Sequence, residues 1–365
     1  MSTELEREAQ LKEQDLAAPL PSVSRPVGEL AKGAPWAILA ATAVLVGGGL
    51  LLLGRGVGLA VVAVAVVNAV VTYAVSRFVE GSRKATDRLV TVLVSTAFLI
   101  AMAPLVSVVV TVLTNGVARF DTQFFTYSMR GVVGEGGGGY HAIIGTVLIT
   151  LLAAVMSIPV GLLTAVYLVE YGQGKLSRAI TFFVDVMTGI PSIVAGLFAF
   201  ALFALFLGPG VRMGFAGAVA LSVLMIPVVV RSTEEMLKIV PNELREAAYA
   251  LGVPKWRTIL KVVVPTSVAG IASGVTLAIA RVIGETAPLL IAVGITTGVN
   301  LNPFDSRMAT LPVFAYYSYV APGVPREPFI DRAWTAALVL IVLVMVLNLA
   351  ARLIARAFAP KTAGR

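Results

Sequence analysis

An arginine and a glutamate, Arg281 and Glu285, lie within a long apolar stretch of the sequence. A charge inside a lipid bilayer is costly, so such residues normally face the interior of a helix bundle or an aqueous cavity. Because the two lie four residues apart, we expect them to share one helix face. A guanidinium can donate two hydrogen bonds to one oxyanion. The pair therefore predicts either a pathway for an oxyanion or a self-neutralised pair that fixes helix contacts.

A third charge, Asp185, lies in another apolar stretch. Asp185 could pair with Arg281 or with the end of a neighbouring helix. It could equally lie at the membrane interface or in a contact between helices. The single histidine, His141, cannot form a multi-histidine metal site, and we expect it at the interface. The chain has no cysteine, which excludes disulfides and metal–thiolate sites.

A charged, helix-forming segment at residues 231–265 separates two apolar stretches. Asn242 is predicted to be the N-cap of a helix, and Gly252 to end that helix in a left-handed conformation. Pro254 is predicted to start a second short helix. The two helices would form a bent, compact knob at the membrane surface, a shape that suits docking into a groove. An ordinary amphipathic surface helix is the other interpretation.

Transmembrane helices must position these residues. Of the 365 residues, 58% are hydrophobic and 13% charged, and the mean hydropathy is +0.92; soluble domains carry about 25% charged residues. We therefore predict an all-α integral membrane protein whose spans are near the ~20 residues that cross a bilayer. The seventh span should be broken or bent around Gly284 and Pro288. The eight predicted spans are 35–54, 56–76, 89–113, 142–169, 180–207, 214–230, 266–298 and 334–358.

The remaining segments set the topology. Residues 1–33 are predicted to be a disordered cytoplasmic tail, and residues 34–77 a transmembrane hairpin. Of the 28 Lys and Arg residues, 20 lie on one side of the predicted membrane, 7 on the other and Arg281 within a span. The positive-inside rule then places both termini and the 231–265 loop in the cytoplasm. The glycine run at 134–139 lacks the ending of a phosphate-binding loop and is predicted to be a flexible external connection.

The 231–265 loop resembles the coupling motif of ABC importer permeases. The motif reads Glu246-Ala247-Ala248, three residues, Gly252, nine residues, Val262-Val263-Val264-Pro265. Val262 and Val264 stand where isoleucine and leucine are usual. Three further stretches look like the PstA-type permeases of phosphate-specific importers: residues 165–171, residues 188–198 and Gly284-Glu285-Thr286-Ala287-Pro288. The resemblance covers residues about 89–358.

This resemblance implies a six-helix, MetI-like ABC permease core at residues 89–358, to which the hairpin at 34–77 is an addition. The segment from Glu246 to Gly252 would be the coupling helix seated in an ATPase subunit. Arg281, Glu285 and Thr286 would line the pathway of phosphate.

The resemblance also implies partners: a second permease, PstC, two copies of the ATPase PstB, and the external phosphate-binding protein PstS, in a bacterial plasma membrane. The chain lacks the Gly-x4-Gly-Lys-Ser/Thr motif, so we expect it not to be an enzyme and to hold no cofactor, with ATP and Mg²⁺ on the ATPase. Gly270 and Gly274 form a small-x3-small pattern that allows close helix contact, which we expect at the interface with PstC.

Three alternatives stay open from the sequence. The cargo could be another oxyanion, such as sulfate, molybdate or phosphonate. The chain could be an ion-coupled secondary transporter that works alone, although the coupling motif argues against this. It could also be a membrane sensor or scaffold that signals phosphate status, which would tolerate a neutral residue at position 281.

Overall fold

A computed structural model describes residues 28–31 and 33–358, with the backbone alone at 351 and 354–358. The described residues form helices and no β-strand, which confirms the predicted all-α class. The chain divides into two compact units, Met1–Val108 and Val109–Arg365. Nearly all of the predicted tail lies outside the described residues, and the predicted domain limits stay predictions.

Among the described helices, seven are long and apolar enough to cross a membrane, and one sharply bent pair raises the number to eight. This agrees with the eight predicted spans. In chain order the helices are α1 (Ala34–Leu52), α2 (Val57–Val79), α3 (Ser82–Gly116), α4 (Thr122–Thr126), α5 (Tyr140–Tyr171), α6 (Lys175–Thr188), α7 (Ser192–Leu207), α8 (Gly214–Ile239), α9 (Asn242–Ala250), α10 (Lys255–Val282), α11 (Ala287–Ala292), α12 (Leu311–Val320) and α13 (Glu327–Phe358).

The fifth predicted span, 180–207, is not one straight helix. It is the bent pair α6 and α7, whose axes differ by 106° across a break of three residues. The break lies at Gly189-Ile190-Pro191, where proline has no backbone N–H to continue the helix. Pro191 itself is extended, with ψ of 137°, and α7 starts directly after it. The continuous apolar composition hid this change of direction.

The sixth span is longer than predicted, because α8 continues through the polar residues after 230. Arg231 and Lys238 both pair with Glu234, at 2.8 and 2.7 Å, and such pairs at helical spacing stabilise the added turns. The helix ends at Ile239 because the residue before a proline disfavours helical geometry; Val240, before Pro241, has ψ of 122°.

In the second unit, α8 packs against α5, α7 and α10. Small residues permit these close contacts: a Cβ at Gly161 of α5 would lie 2.6 Å from Val229 Cγ1. A Cβ at Gly270 or Gly274 of α10 would lie 2.2 Å from Met236 Sδ or 2.5 Å from Ser232 Oγ of α8. The predicted close contact at the two α10 glycines is therefore confirmed, but its predicted place is wrong: it joins two helices of this chain.

In the first unit, α1 and α2 are joined by a tight turn in which Gly54 has a positive φ of 71°. At the other end of α2, the Glu80 carboxylate is buried. It accepts hydrogen bonds from Arg88 Nε and Nη2 of α3, at 2.5 and 2.7 Å, and from Ser76 Oγ and the Leu30 N–H, at 2.8 and 3.0 Å. Hydrogen bonds from Arg88, above all, lower the pKa of Glu80 to about 2.

Replacing Glu80 with glutamine should lower the stability of the full-length chain in detergent by about 2 kcal/mol at pH 7, because Arg88 loses a buried partner. A carboxylate whose folded pKa is depressed stabilises the fold above its unfolded pKa, 4.5, and loses that contribution as pH falls through about 2. The difference in apparent melting temperature between variant and wild type should therefore shrink at low pH. Glu29→Gln is the control, since its pair with Lys84 is exposed; an equal loss in both variants would contradict the assignment.

Candidate translocation and coupling site

Helix α9, which the sequence predicts to be the coupling helix, is exposed along most of its length. Glu246 and Ala247 are exposed, whereas Ala248 is buried. The predicted N-cap at Asn242 is wrong: the helix begins at Asn242 after Pro241, and no side chain caps it. The Asn242 amide oxygen instead accepts from Arg245 Nη1 at 3.2 Å, and Asn242 is itself the first residue of the helix. The surface left free for a partner runs over Glu246 and Ala247.

Gly252 ends α9 as predicted. Its φ is +74°, its N–H donates to the Tyr249 carbonyl at 2.9 Å, and the Val253 N–H donates to the Ala248 carbonyl at 3.1 Å. These two bonds are the Schellman termination, which requires a left-handed residue and therefore favours glycine. The chain is thus turned sharply between the coupling helix and the next span.

The second short helix predicted after Pro254 is instead the beginning of a long span. Helix α10 runs without a break from Lys255 to Val282. Pro265, which closes the coupling motif, lies inside it. A wide π-helical turn, Ile259–Val263, comes just before this proline and accommodates a residue that cannot donate the usual backbone bond. Pro265 predicts a helix boundary from the sequence, but the helix only widens before this residue and then continues.

Two residues that the sequence reasoning did not select, Arg245 and Glu170, anchor the coupling helix. Arg245 of α9 donates to Glu170 Oε1 at the end of α5 through Nε at 3.0 Å and Nη2 at 2.9 Å. Arg245 also donates to the carbonyls of Val240 at 2.6 Å and Leu237 at 3.0 Å. Lys255 Nζ donates to the Glu170 carbonyl. Only 12% of the Arg245 side chain and 5% of the Glu170 side chain are exposed, so one buried pair ties the coupling helix to α5.

Replacing Arg245 with alanine should uncouple transport from ATP hydrolysis. The loss of a buried pair costs about 3 kcal/mol and frees α9 from α5, so the ratio of cargo transported to ATP hydrolysed should fall while the ATPase still binds. The measurement is uptake and hydrolysis in the same proteoliposomes. Arg257→Ala is the matched control, because Arg257 lies exposed next to Trp256; an unchanged ratio for Arg245→Ala would contradict the role.

The span that carries Arg281 is broken next to it, as predicted around Gly284. Helix α10 ends at Val282, and α11 starts at Ala287 with proline in its first turn. Glu285 lies in the break, and its N–H donates to the Val282 carbonyl at 3.1 Å. The expectation that Arg281 and Glu285 share one helix face is therefore wrong, because the helix ends between them.

Arg281 is exposed, and Glu285 and Thr286 are partly buried. Within residues 28–31 and 33–358, the structure gives the Arg281 side chain neither an ion pair nor a hydrogen bond, with Glu285 or with any other residue. The interpretation as a self-neutralised pair has no contact to support it. Arg281 thus lies at the end of α10 without a side-chain partner among the described residues, and a carboxylate (Glu285) and a hydroxyl (Thr286) follow it along the chain in the break.

A second helix end lies beside this break. A Cβ at Gly196 would lie 2.5 Å from Pro288 Cα, so α7 and α11 are in direct contact. Gly196 lies in the second turn of α7, and Pro288 lies in the first turn of α11. Both helices follow breaks in apolar spans. Irregular backbone between half-helices is tolerated at membrane depth where it lines a cavity or is buried in protein. The break next to Arg281 is therefore compatible with either of these settings.

Asp185 does not pair with Arg281. It forms an ion pair with Arg231 of α8, which also pairs with Glu234 at 2.8 Å. Asp185 has another partner than the predicted one because the bend between α6 and α7 turns the segment that carries Asp185 away from the axis of α7. Asp185 is 59% exposed, so it joins α6 to α8 at the surface of the fold.

His141 is not at an exposed interface. It is 2% exposed and stacks edge-to-face on Phe314, with ring centroids 5.3 Å apart. Neither ring nitrogen has a hydrogen-bond partner in the described part of the chain. The first turn of α5 is thus packed against α12. The position of His141 before an apolar run does not indicate this contact.

The glycine run at 134–139 is held in place and is not a free connection. Arg332 of α13, which is fully buried, donates through Nη1 to the carbonyls of Gly134 at 2.8 Å and Gly136 at 2.7 Å. Arg119 Nη2 donates to the Gly137 carbonyl at 3.0 Å. The glycines are needed for conformation and space: φ of Gly137 is +61°, and a Cβ there would lie 2.7 Å from Met129 Sδ.

Comparisons with known proteins identify relatives of this chain. A family model described as "Binding-protein-dependent transport system inner membrane component" matches residues 157–364. The chain is 49% identical over 275 residues to "Phosphate transport system permease protein PstA 1" of Mycobacterium tuberculosis (strain ATCC 25618 / H37Rv), over 74% of this chain and 88% of that one. It is 36% identical over 277 residues to the PstA protein of Yersinia pestis, over 74% and 90%.

A solved structure of the MetNI methionine ABC transporter, in an inward-facing conformation, aligns with a TM-score of 0.49 at 21% identity, over 59% of this chain and 93% of that one. The family match spans the coupling helix, α10 and the break that follows it. The relatives match three quarters of this chain and most of their own length. The chain belongs to the PstA family of phosphate transport system permease proteins.

Proposed function

We propose that the chain is the transmembrane permease subunit of an ATP-driven importer of inorganic phosphate. The observation that carries this proposal is α10: a single helix leads from Lys255, next to the docking knob, to Arg281, next to the break. Arg281 lies 26 positions after Lys255, which corresponds to roughly 39 Å of helix. A displacement of the coupling helix is thereby delivered to the cationic site without an intervening flexible segment.

A separate ATPase dimer supplies the energy, with ATP and Mg²⁺ bound there. Its closure pushes the coupling helix, and α10 and the Arg245–Glu170 pair carry the movement to the break and to α5. Alternating access to the site near Arg281 follows. The assembly contains a second permease (PstC), two ATPase subunits (PstB) and an external phosphate-binding protein (PstS), in the bacterial plasma membrane, with the coupling helix in the cytoplasm as the charge distribution predicts.

The residues around the break favour phosphate over sulfate. Arg281 attracts either oxyanion and can donate two hydrogen bonds to it. Phosphate at neutral pH also carries an O–H group, which can donate to the Glu285 carboxylate, whereas sulfate has no proton to donate. A carboxylate facing a fully deprotonated anion is repulsive. Thr286 adds a hydroxyl that can donate or accept.

Uptake of radiolabelled phosphate by the reconstituted complex, with sulfate as competitor, tests this proposal. The wild type should be insensitive to sulfate, and Glu285→Gln should become sensitive, because an amide can donate a hydrogen bond to sulfate; we expect a selectivity loss of about tenfold. Asp185→Asn is the matched control, since Asp185 pairs with Arg231 away from the break. Stronger competition by sulfate, molybdate or phosphonate than by unlabelled phosphate in the wild type would assign another cargo.

A further inference from the structure

Two arginines outside the site already described, Arg212 and Arg307, come together on the face of the second unit opposite to the coupling helix. Arg212 lies just before α8, which begins at Gly214. The other end of α8 leads into the coupling helix, and its 26 residues correspond to roughly 39 Å. Arg307 lies in the loop between α11 and α12. Both therefore lie on the side from which an importer receives its cargo.

The side chains meet at Gly294, which follows the end of α11. A Cβ at this glycine would lie 3.2 Å from Arg212 Cδ, 3.4 Å from Arg307 Cδ and 3.7 Å from Arg212 Nη1. Gly294 has a φ of +76°, a conformation that favours glycine. The Met213 N–H donates to the Ala292 carbonyl at 3.3 Å, which fixes the segment with Arg212 to the end of α11. The two arginine stems are thus brought together by fixed backbone.

Neither arginine has a counter-charge. In the part of the chain that the structure describes, neither side chain has an ion pair or a hydrogen bond; the Arg212 guanidinium lies over the ring of Phe200, 5.9 Å from its centroid. The nearest acid in sequence, Asp305, accepts a hydrogen bond from Ser306. Asn300 Nδ2 donates to the carbonyls of Asp305 and Arg307, at 2.7 and 3.1 Å, and so shapes this loop. Two uncompensated guanidinium groups on fixed backbone raise the local concentration of anions.

The arginine pair and the break lie at the two ends of α11. Glu285 and Thr286 precede its first residue, and Gly294 follows its last by two positions. Six residues of helix are roughly 9 Å long. An anion held by Arg212 and Arg307 is therefore one short helix away from the site near Arg281.

We propose that Arg212 and Arg307 form a receiving site for inorganic phosphate, from which the anion moves along α11 to Arg281. The proposal rests on the proposed function, because it requires an oxyanion as cargo. Paired guanidinium groups donate several charge-assisted hydrogen bonds to phosphate oxygens. The competing use of these arginines, as a docking point for acidic side chains of the external binding protein, is an outcome of the test.

Labelling of arginines with phenylglyoxal, followed by peptide mass spectrometry, tests phosphate binding on the full-length chain in its assembled complex. Millimolar phosphate should slow the labelling of Arg212 and Arg307 about tenfold, relative to sodium chloride of equal ionic strength, and leave Arg326 unchanged. Arg326 is an exposed arginine on the same side of the second unit. Equal labelling with and without phosphate would overturn the proposal, whatever the cargo assignment.

Uptake by the complex with the double variant Arg212→Gln, Arg307→Gln gives the second readout. The apparent KM for loaded binding protein should rise about tenfold, while kcat, binding-protein docking without phosphate and uptake by Arg326→Gln stay unchanged. The double lysine variant, which keeps the charges, should recover most of the loss and controls for folding. If phosphate-free binding protein docks more weakly on the glutamine variant, the two arginines are a docking point for that protein and not a receiving site for phosphate. Normal uptake by this variant together with inactive Arg281→Gln would overturn the receiving site and leave the proposed function standing.

Discussion

Arg281→Gln should reduce phosphate uptake by the assembled transporter about a hundredfold, since losing a charge-assisted hydrogen bond costs about 3 kcal/mol. Arg281 is exposed and has no partner of its own in residues 28–31 and 33–358, so the substitution leaves no buried group unpaired and should not disturb the fold. The loss is expected because the cargo then meets only Glu285 and Thr286, and a carboxylate without a neighbouring cation repels an anion. The measurement is the initial rate of radiolabelled phosphate uptake in proteoliposomes.

Two controls separate a role in the pathway from a general defect. Arg281→Lys keeps the charge but not the planar pair of donors, and should retain part of the activity. Arg130→Gln removes an exposed arginine far along the chain from the break and should transport normally. If Arg281→Gln transports phosphate at the wild-type rate, the residue has no part in the pathway, and the sensor or scaffold interpretation gains support.

Glu246→Lys should abolish ATP-dependent uptake by preventing productive contact with the ATPase subunit. Glu246 is exposed near the middle of α9, beside exposed Ala247, on the surface that is left after Arg245 and Ala248 have turned inward. Charge reversal at the centre of a docked surface costs several kcal/mol when like charges are brought together. The measurement is retention of the ATPase subunit during affinity purification, together with stimulated ATP hydrolysis.

Glu235→Lys is the matched control, because Glu235 is an exposed glutamate on α8 that lies outside the coupling helix. We expect this variant to retain the ATPase subunit. Full retention and normal uptake by Glu246→Lys would mean that α9 is an ordinary surface helix. Retention without stimulated hydrolysis would place the defect in transmission and would direct attention to the Arg245–Glu170 pair.

Features encoded locally were predictable from the sequence. The number of spans follows from apolar length, the end of α9 follows from Gly252, and the break near Gly284 follows from a glycine, a proline and two ionisable residues within a few positions. In each case the cause and the effect lie within one or two turns of the chain.

Features that depend on distant partners were not predictable. Arg245 and Glu170 are separated by 75 positions, and nothing in the local pattern distinguishes their buried pair from ordinary surface charges. Asp185 lies in an apolar segment, whose composition predicts neither the 106° bend that follows it nor the ion pair that it forms with Arg231. Glycine permits flexibility, so the run at 134–139 predicts a flexible connection. The carbonyls of this run instead accept hydrogen bonds from Arg332 and Arg119.

Helix α10 is continuous from the coupling helix to Arg281, and the proposal that a separate ATPase drives transport through this chain depends on this continuity. Phosphate uptake and ATP hydrolysis, measured together in proteoliposomes with and without the ATPase subunit, test it most directly. We predict that uptake requires both the ATPase subunit and ATP, and that no proton or sodium gradient replaces them. Phosphate uptake by the permeases alone, driven by an ion gradient, would show that transport through this chain does not need the ATPase.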